Sequence, residues 1–160
     1  MRPTDFLNSL IASSIYIDAL QFLAWALPKR EAVWWSCLCT RELPLSESAP
    51  AFETAVKAAE EWVYRPNEEN RRNAEKAGNA ITDSHPSRWS AMAAFWSGGS
   101  LAPSGAPEVK PPDDFTAKAV AGAVLMAAGL DPALAPARQK LFLDYGMDIA
   151  RGGRGRPPVR

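Results

Sequence analysis

Arg30-Glu31-Ala32-Val33-Trp34-Trp35-Ser36-Cys37-Leu38-Cys39, written REAVWWSCLC, holds both cysteines of the chain and two of its six tryptophans. A helical wheel puts Trp34 with Leu38 on one side, Trp35 with Cys39 on a second and Val33 with Cys37 on a third, leaving mainly Ser36 and Thr40 as a polar edge. A helix apolar nearly all round belongs in an interior, so the stretch reads as a structural spine running from about Lys29 to Glu42. Its cysteines lie two apart, roughly 200° from each other on a helix, and cannot close a disulfide without melting a turn. They read as small, reduced core residues, which suits the cytoplasm.

The rest of the chain follows the same pattern. No segment alternates β-branched with polar residues as strands do, and alanine is abundant throughout, so an all-α fold is expected. Prolines and glycines set the breaks. A first helical region spans about Thr4 to Leu27, interrupted near Ser13-Ser14, with Leu20, Leu23, Ala24 and Leu27 on one face. Pro28 ends it, and Leu43-Pro44 ends the spine. Ser48 is the expected N-cap of a helix carrying Phe52, Val56, Ala59, Trp62 and Val63 as its apolar stripe. From Asn67 to Ile81, Glu68, Glu69, Arg71 and Arg72 alternate in sign and read as the solvated exterior of a peripheral helix. Trp89, Met92, Ala93 and Trp96 form one face of a helix over Ser87 to Ser97 that Gly98-Gly99 caps. The most apolar helix, FTAKAVAGAVLMAA from Phe115 to Ala128, is expected at the centre, capped by Asp113 or Asp114. Its Gly122 would let a neighbouring backbone come close. Leu141, Phe142, Tyr145 and Ile149 give a last helix its inward face.

At 160 residues the chain fits one domain with one core. The expected architecture is a single bundle of about seven or eight helices over residues 1–150, with one long Pro/Gly-rich loop at about 98–113. The tail from Arg151 to Arg160, RGGRGRPPVR, is expected to be disordered alone. The apolar run Leu10 to Leu27 ends in a signal-like Ala-Trp-Ala, yet Asp18 and Gln21 break it. A central Asp costs about 2.5–3.5 kcal/mol in a membrane helix, so a buried amphipathic helix is expected and no membrane partner.

Composition thins the chemistry. Lys+Arg and Asp+Glu balance at 18 each, leaving no global field for nucleic acid or anionic membrane and pointing to a neutral partner surface. Two cysteines and one histidine are a poor metal inventory, so neither metal nor cofactor is expected. A nucleophile would need His85, which sits in a surface-type Ser-His-Pro turn. The pairs Glu60-Glu61 and Glu68-Glu69 read as solvating carboxylates rather than a hydrolytic pair. Gly98-Gly99-Ser100 follows a helix, where a phosphate loop would precede one. The RGGRGR tail lacks the interleaved aromatics of a single-strand binder. What stays in excess is tryptophan, the side chain most favoured at interface hot spots, against the plainer reading that at least three of the six fill the core.

The blocks REAVWWSCLC, EEWVYRPNEENRRNA, AFWSGGSLAP, FTAKAVAGAVLMAA and DIARGG, in this order from about Ala24 to Gly153, resemble a small bacterial domain-of-unknown-function family. Its members resemble components of type VI secretion effector loci that accompany PAAR-repeat proteins and effector chaperones. The resemblance implies a cytoplasmic, non-catalytic adaptor or co-chaperone. It would bind a larger effector chaperone, or an effector or PAAR-protein complex, and regulate loading of a toxic effector. No catalytic residue comes with the resemblance. The partner surface is expected at the end of the tryptophan helix and its loop, Phe95, Trp96, Ser97 and Leu101, with Trp35 and Arg30 contributing. The alternative is an immunity-like protein that blocks a toxin domain, which would call for a charged matching surface.

Overall fold

A computed structural model describes residues 1–44 and 49–156. Among the described residues there are eight helices and no strand: α1 (Pro3–Ala12), α2 (Tyr16–Ala26), α3 (Lys29–Thr40), α4 (Pro50–Tyr64), α5 (Glu68–Asn79), α6 (Pro86–Phe95), α7 (Phe115–Gly129) and α8 (Ala135–Ala150). The all-α expectation holds. Ser14 at φ 59° divides α1 from α2, and prolines open α1, α4, α6 and α8 in the first turn, where the missing N–H costs nothing. Asn67 caps α5, its side chain accepting from the Asn70 N–H at 2.8 Å. Ser48, expected to cap α4, lies outside the described residues.

Helix α3 is the spine. It packs against α2, α4, α6, α7 and α8, and Ala32, Val33 and Trp35 through Thr40 are all buried. The central α7 packs on α2, α3, α6 and α8, with Val120, Ala123 and Val124 wholly buried. Two expectations need correction here. Ser36 and Thr40 are not an outer polar edge, because α6 brings Ser90 opposite them. The Ser36 hydroxyl lies 3.0 Å from Ser90 Oγ, Thr40 Oγ1 donates to the Ser36 carbonyl at 2.8 Å, and all three residues are buried. Ser36 Oγ also lies 2.8 Å from the Val33 carbonyl, so both hydroxyls of α3 bond carbonyls of their own helix and Ser90 finds its partner in them. The close approach also occurs elsewhere: nothing lies within 4 Å of a Cβ placed on Gly122, whereas one on Gly146 of α8 would meet Leu23 Cδ1 at 2.7 Å and the Trp35 ring at 3.0 Å. Gly146 is what lets α8 press onto the spine.

The solvated exterior assigned to α5 needs a third correction. Arg71 is 4% exposed, and its guanidinium donates to the Phe95 carbonyl at 2.9 Å, the Ser100 carbonyl at 3.1 Å and both oxygens of Glu68 at 2.7 Å. Arg72 donates to the Ala102 carbonyl at 2.7 Å. The long loop is thereby pinned to α5. It is also closed on itself: Leu101 N–H donates to the Val109 carbonyl at 2.7 Å, and Ser100 Oγ accepts from the Ala102 and Val109 amides. Gly99 takes φ +64°, and a Cβ there would fall 2.8 Å from the Arg71 guanidinium.

The segment after α8 folds back over the spine as far as Arg156. Trp34 Nε1 donates to the Arg154 carbonyl at 2.9 Å, Gly155 N–H donates to Asp148 Oδ2 at 2.8 Å, and Arg156 pairs with Glu42. The remaining part of the expected disordered tail, 157–160, lies outside the described residues.

Candidate partner-binding site

Both cysteines, His85, Glu60 and Glu68 are buried in or bonded to the fold. Cys37 and Cys39 have no exposed surface, and burial pushes both thiols far up, so they are neither nucleophiles nor ready oxidation sites. His85 caps α6: Nδ1 accepts from the Ser87 amide at 3.2 Å, lies 2.7 Å from Ser87 Oγ, and the ring stacks on Phe52 at 3.7 Å. Burial holds its pKa below the ordinary 6.5. The Glu60 carboxylate takes a two-pronged contact from Arg41 at 2.6 and 2.8 Å, and Glu53 takes the third guanidinium nitrogen, tying α3 to α4. Glu68 is held down to about 2, first by Arg71 and then by Arg72. Among the described residues no group of three or more His, Cys, Asp or Glu is placed to hold a metal ion. No helix there is long and apolar enough to cross a membrane.

The expected partner residues divide. Trp35 is fully buried with its indole N–H on the Phe142 carbonyl at 2.8 Å, and Phe95 is 4% exposed beneath the Arg71 guanidinium at 4.8 Å. Neither offers surface to a partner, because each faces the packed interior rather than the rim. Trp96 is half-buried, edge-on to Phe115 at 5.2 Å. Leu101 is half-buried in the loop closure, and Arg30 is exposed. At the start of α3, Lys29 Nζ donates to the Ser97 carbonyl at 3.2 Å.

Two depressions flank this contact. One, of about 220 Å³, lies between the end of α2 and the start of α7, walled by Trp25, Leu27, Lys29, Asp114 and Ala117. Trp25 is 55% exposed, the most open tryptophan. The other, of about 360 Å³, is a groove between the start of α3, the end of α4 and the tail, walled by Arg30, Trp34, Tyr64 and Arg154 over Val63 and Ile149. The Trp34 and Tyr64 rings stand 5.8 Å apart, tilted by 59°. Arg30 is fixed by its Nε, which donates to the Val63 carbonyl at 2.6 Å.

Trp25, Trp34 and Tyr64 were not among the expected site residues, yet a sequence signal existed for two of them. Trp25 falls one step outside the Leu20–Leu23–Ala24–Leu27 stripe, and Tyr64 one step outside the stripe ending at Trp62 and Val63. A large aromatic just off a core stripe is placed at the surface by helical geometry.

Residues 6–150 match a family of unknown function (DUF6931). The chain belongs to this family. The match takes in all of α2 to α8, and so the spine, the pinned loop and most of the wall around Lys29 and Arg30. It stops short of Gly153 and Arg154, which complete the groove. No curated protein and no solved structure matches the chain.

Proposed function

We propose that this member of the family is a non-catalytic adaptor that binds a protein partner at the α2–α3–α7 end of its bundle. The observation that carries the reading is Trp25: a large aromatic 55% exposed beside Lys29, at the mouth of an apolar depression. Tryptophan is the side chain most enriched at interface hot spots, and one left this open beside an apolar depression is suited to a partner. Ser97, whose carbonyl accepts from Lys29, and Trp96, edge-on to Phe115 at the start of α7, lie at the same end and supply its rim. In finer form, following the resemblance to type VI secretion effector loci, the partner is an effector chaperone in the bacterial cytoplasm and the adaptor regulates its loading with a toxic effector.

The test is co-elution of the purified protein with the chaperone and the toxin domain encoded near it. Binding to the chaperone, lost on Trp25→Ala while the helical spectrum is unchanged, supports the adaptor. Tight binding to the toxin domain alone would replace it with the immunity-like reading.

A further inference from the structure

We infer that the groove between Arg30, Trp34, Tyr64 and Arg154 is a peptide-binding site for an acidic, extended segment of the protein partner, with an apolar side chain seated against the tilted Trp34–Tyr64 pair and the Val63 and Ile149 floor. The inference rests on the adaptor reading and deepens it. Net charge zero conceals a local imbalance. Among the described residues, every ion pair uses Arg2, Arg41, Arg71, Arg72, Lys118 or Arg156 as its cation. Arg30 and Arg154 have no carboxylate there, and face the groove against a single acid, Glu31. Arg65 follows Tyr64 in the chain, exposed and also without an ion pair. With Nε held by the Val63 carbonyl at 2.6 Å, Arg30 keeps its terminal nitrogens for a ligand, a preset fork that suits a carboxylate.

The floor is apolar, Val63 and Ile149 being 9% and 5% exposed, and Trp34 spends its indole N–H on the Arg154 carbonyl, so it offers the ligand a ring. Aromatic walls with flanking guanidiniums could also take single-stranded nucleic acid. The groove, however, is short, about 360 Å³, and carries an acid on its wall, with no continuous basic track for a backbone of several phosphates. An acidic peptide fits the two separated cations and the apolar floor.

One wall exists only while the tail is docked. Gly155 holds it there at φ +89°, in a position where a Cβ would come 2.5 Å from Leu38 Cδ1. Gly155→Ala therefore loosens the Arg154 wall, and with it the acceptor of the Trp34 indole N–H, while leaving the Arg30, Trp34 and Tyr64 side chains themselves in place.

The experiment follows the tryptophan indole N–H resonances of the isotope-labelled full chain during titration with acetyl-Asp-Glu-Leu-Phe-Asp-Glu-amide. The uncharged analogue acetyl-Asn-Gln-Leu-Phe-Asn-Gln-amide and a thymidine octanucleotide serve as comparisons. The acidic peptide should shift the Trp34 indole saturably and bind at least about tenfold more tightly than the analogue. Arg30→Gln and Arg154→Gln should level the two peptides, and Gly155→Ala should weaken both. Equal affinity for the two peptides, shifts that avoid Trp34, tighter binding of the oligonucleotide, or no saturable shift would each overturn the inference. A chaperone complex that survives Arg30→Gln and Arg154→Gln but not Trp25→Ala would sink the groove and leave the adaptor standing. The opposite pattern would leave the groove and remove the role of Trp25.

Discussion

Trp35 combines ring packing with one buried hydrogen bond, and two substitutions separate them. Trp35→Phe keeps most of the apolar filling and removes one hydrogen bond to a carbonyl that still accepts within α8, and should cost about 0.5–1.5 kcal/mol. Trp35→Ala adds a cavity at the α3–α8 contact and should cost about 3–5 kcal/mol. Urea unfolding checks both, and a loss below about 1 kcal/mol for the alanine variant would mean that the ring is not core. The residue scale is also where helical periodicity alone was least informative. Ser36 and Thr40 look like an outer edge on a wheel, yet they are buried: each hydroxyl bonds a carbonyl of its own helix, and the hydroxyl of Ser90, 54 and 50 residues away, packs against both. Polarity on one helix says nothing of what the facing helix brings.

At the scale of elements, the α6 cap gives a pH dependence. Neutral His85 accepts the Ser87 N–H at Nδ1, with Ser87 Oγ 2.7 Å away, and burial lowers its pKa in the folded state. A group with a depressed folded pKa takes up its proton more readily when unfolded, so stability is full above the ordinary 6.5 and falls as pH drops below it. Melting temperature measured from neutral pH down to the range where carboxylates titrate should decline. His85→Asn, which can still cap α6, should flatten that slope. The long loop depends on α5. Arg71→Ala should leave the helices in place but release the Phe95 and Ser100 carbonyls, raising hydrogen exchange at the Leu101 and Val109 amides by at least about tenfold. Unchanged protection would show that the loop closes by its own hydrogen bonds. The loop's place and length were legible from its prolines and glycines, whereas its order was not, since the clasp comes from charges that read as a solvated face.

For the molecule as a whole, the prediction concerns where affinity resides. Trp25→Ala removes an exposed ring, so it should change stability by no more than about 0.5 kcal/mol. It should cost about 2 kcal/mol or more in binding to the partner, measured by calorimetry on the same sample. A variant that melts early instead would return Trp25 to a structural role. The candidate site was half legible. Trp96 and Ser97 stand by the starts of α3 and α7, Arg30 faces the α3–α4 groove, Leu101 sits in the loop closure, and Trp35 and Phe95 are inside the bundle. Trp25 and Tyr64 were visible only as aromatics one step off a core stripe.

The sequence by itself determined the all-α class, the proline-set breaks and the interior character of α3 and α7. These follow from a fixed proline φ and a 3.6-residue period, which each segment carries within itself. Only the tertiary structure decided that Gly146 rather than Gly122 makes the close approach, that Arg71 is buried, that the chain through Arg156 lies against the spine, and which aromatics emerge at the rim. Each of those depends on atoms supplied by another helix or loop far along the chain, and a local period has no knowledge of what it will face.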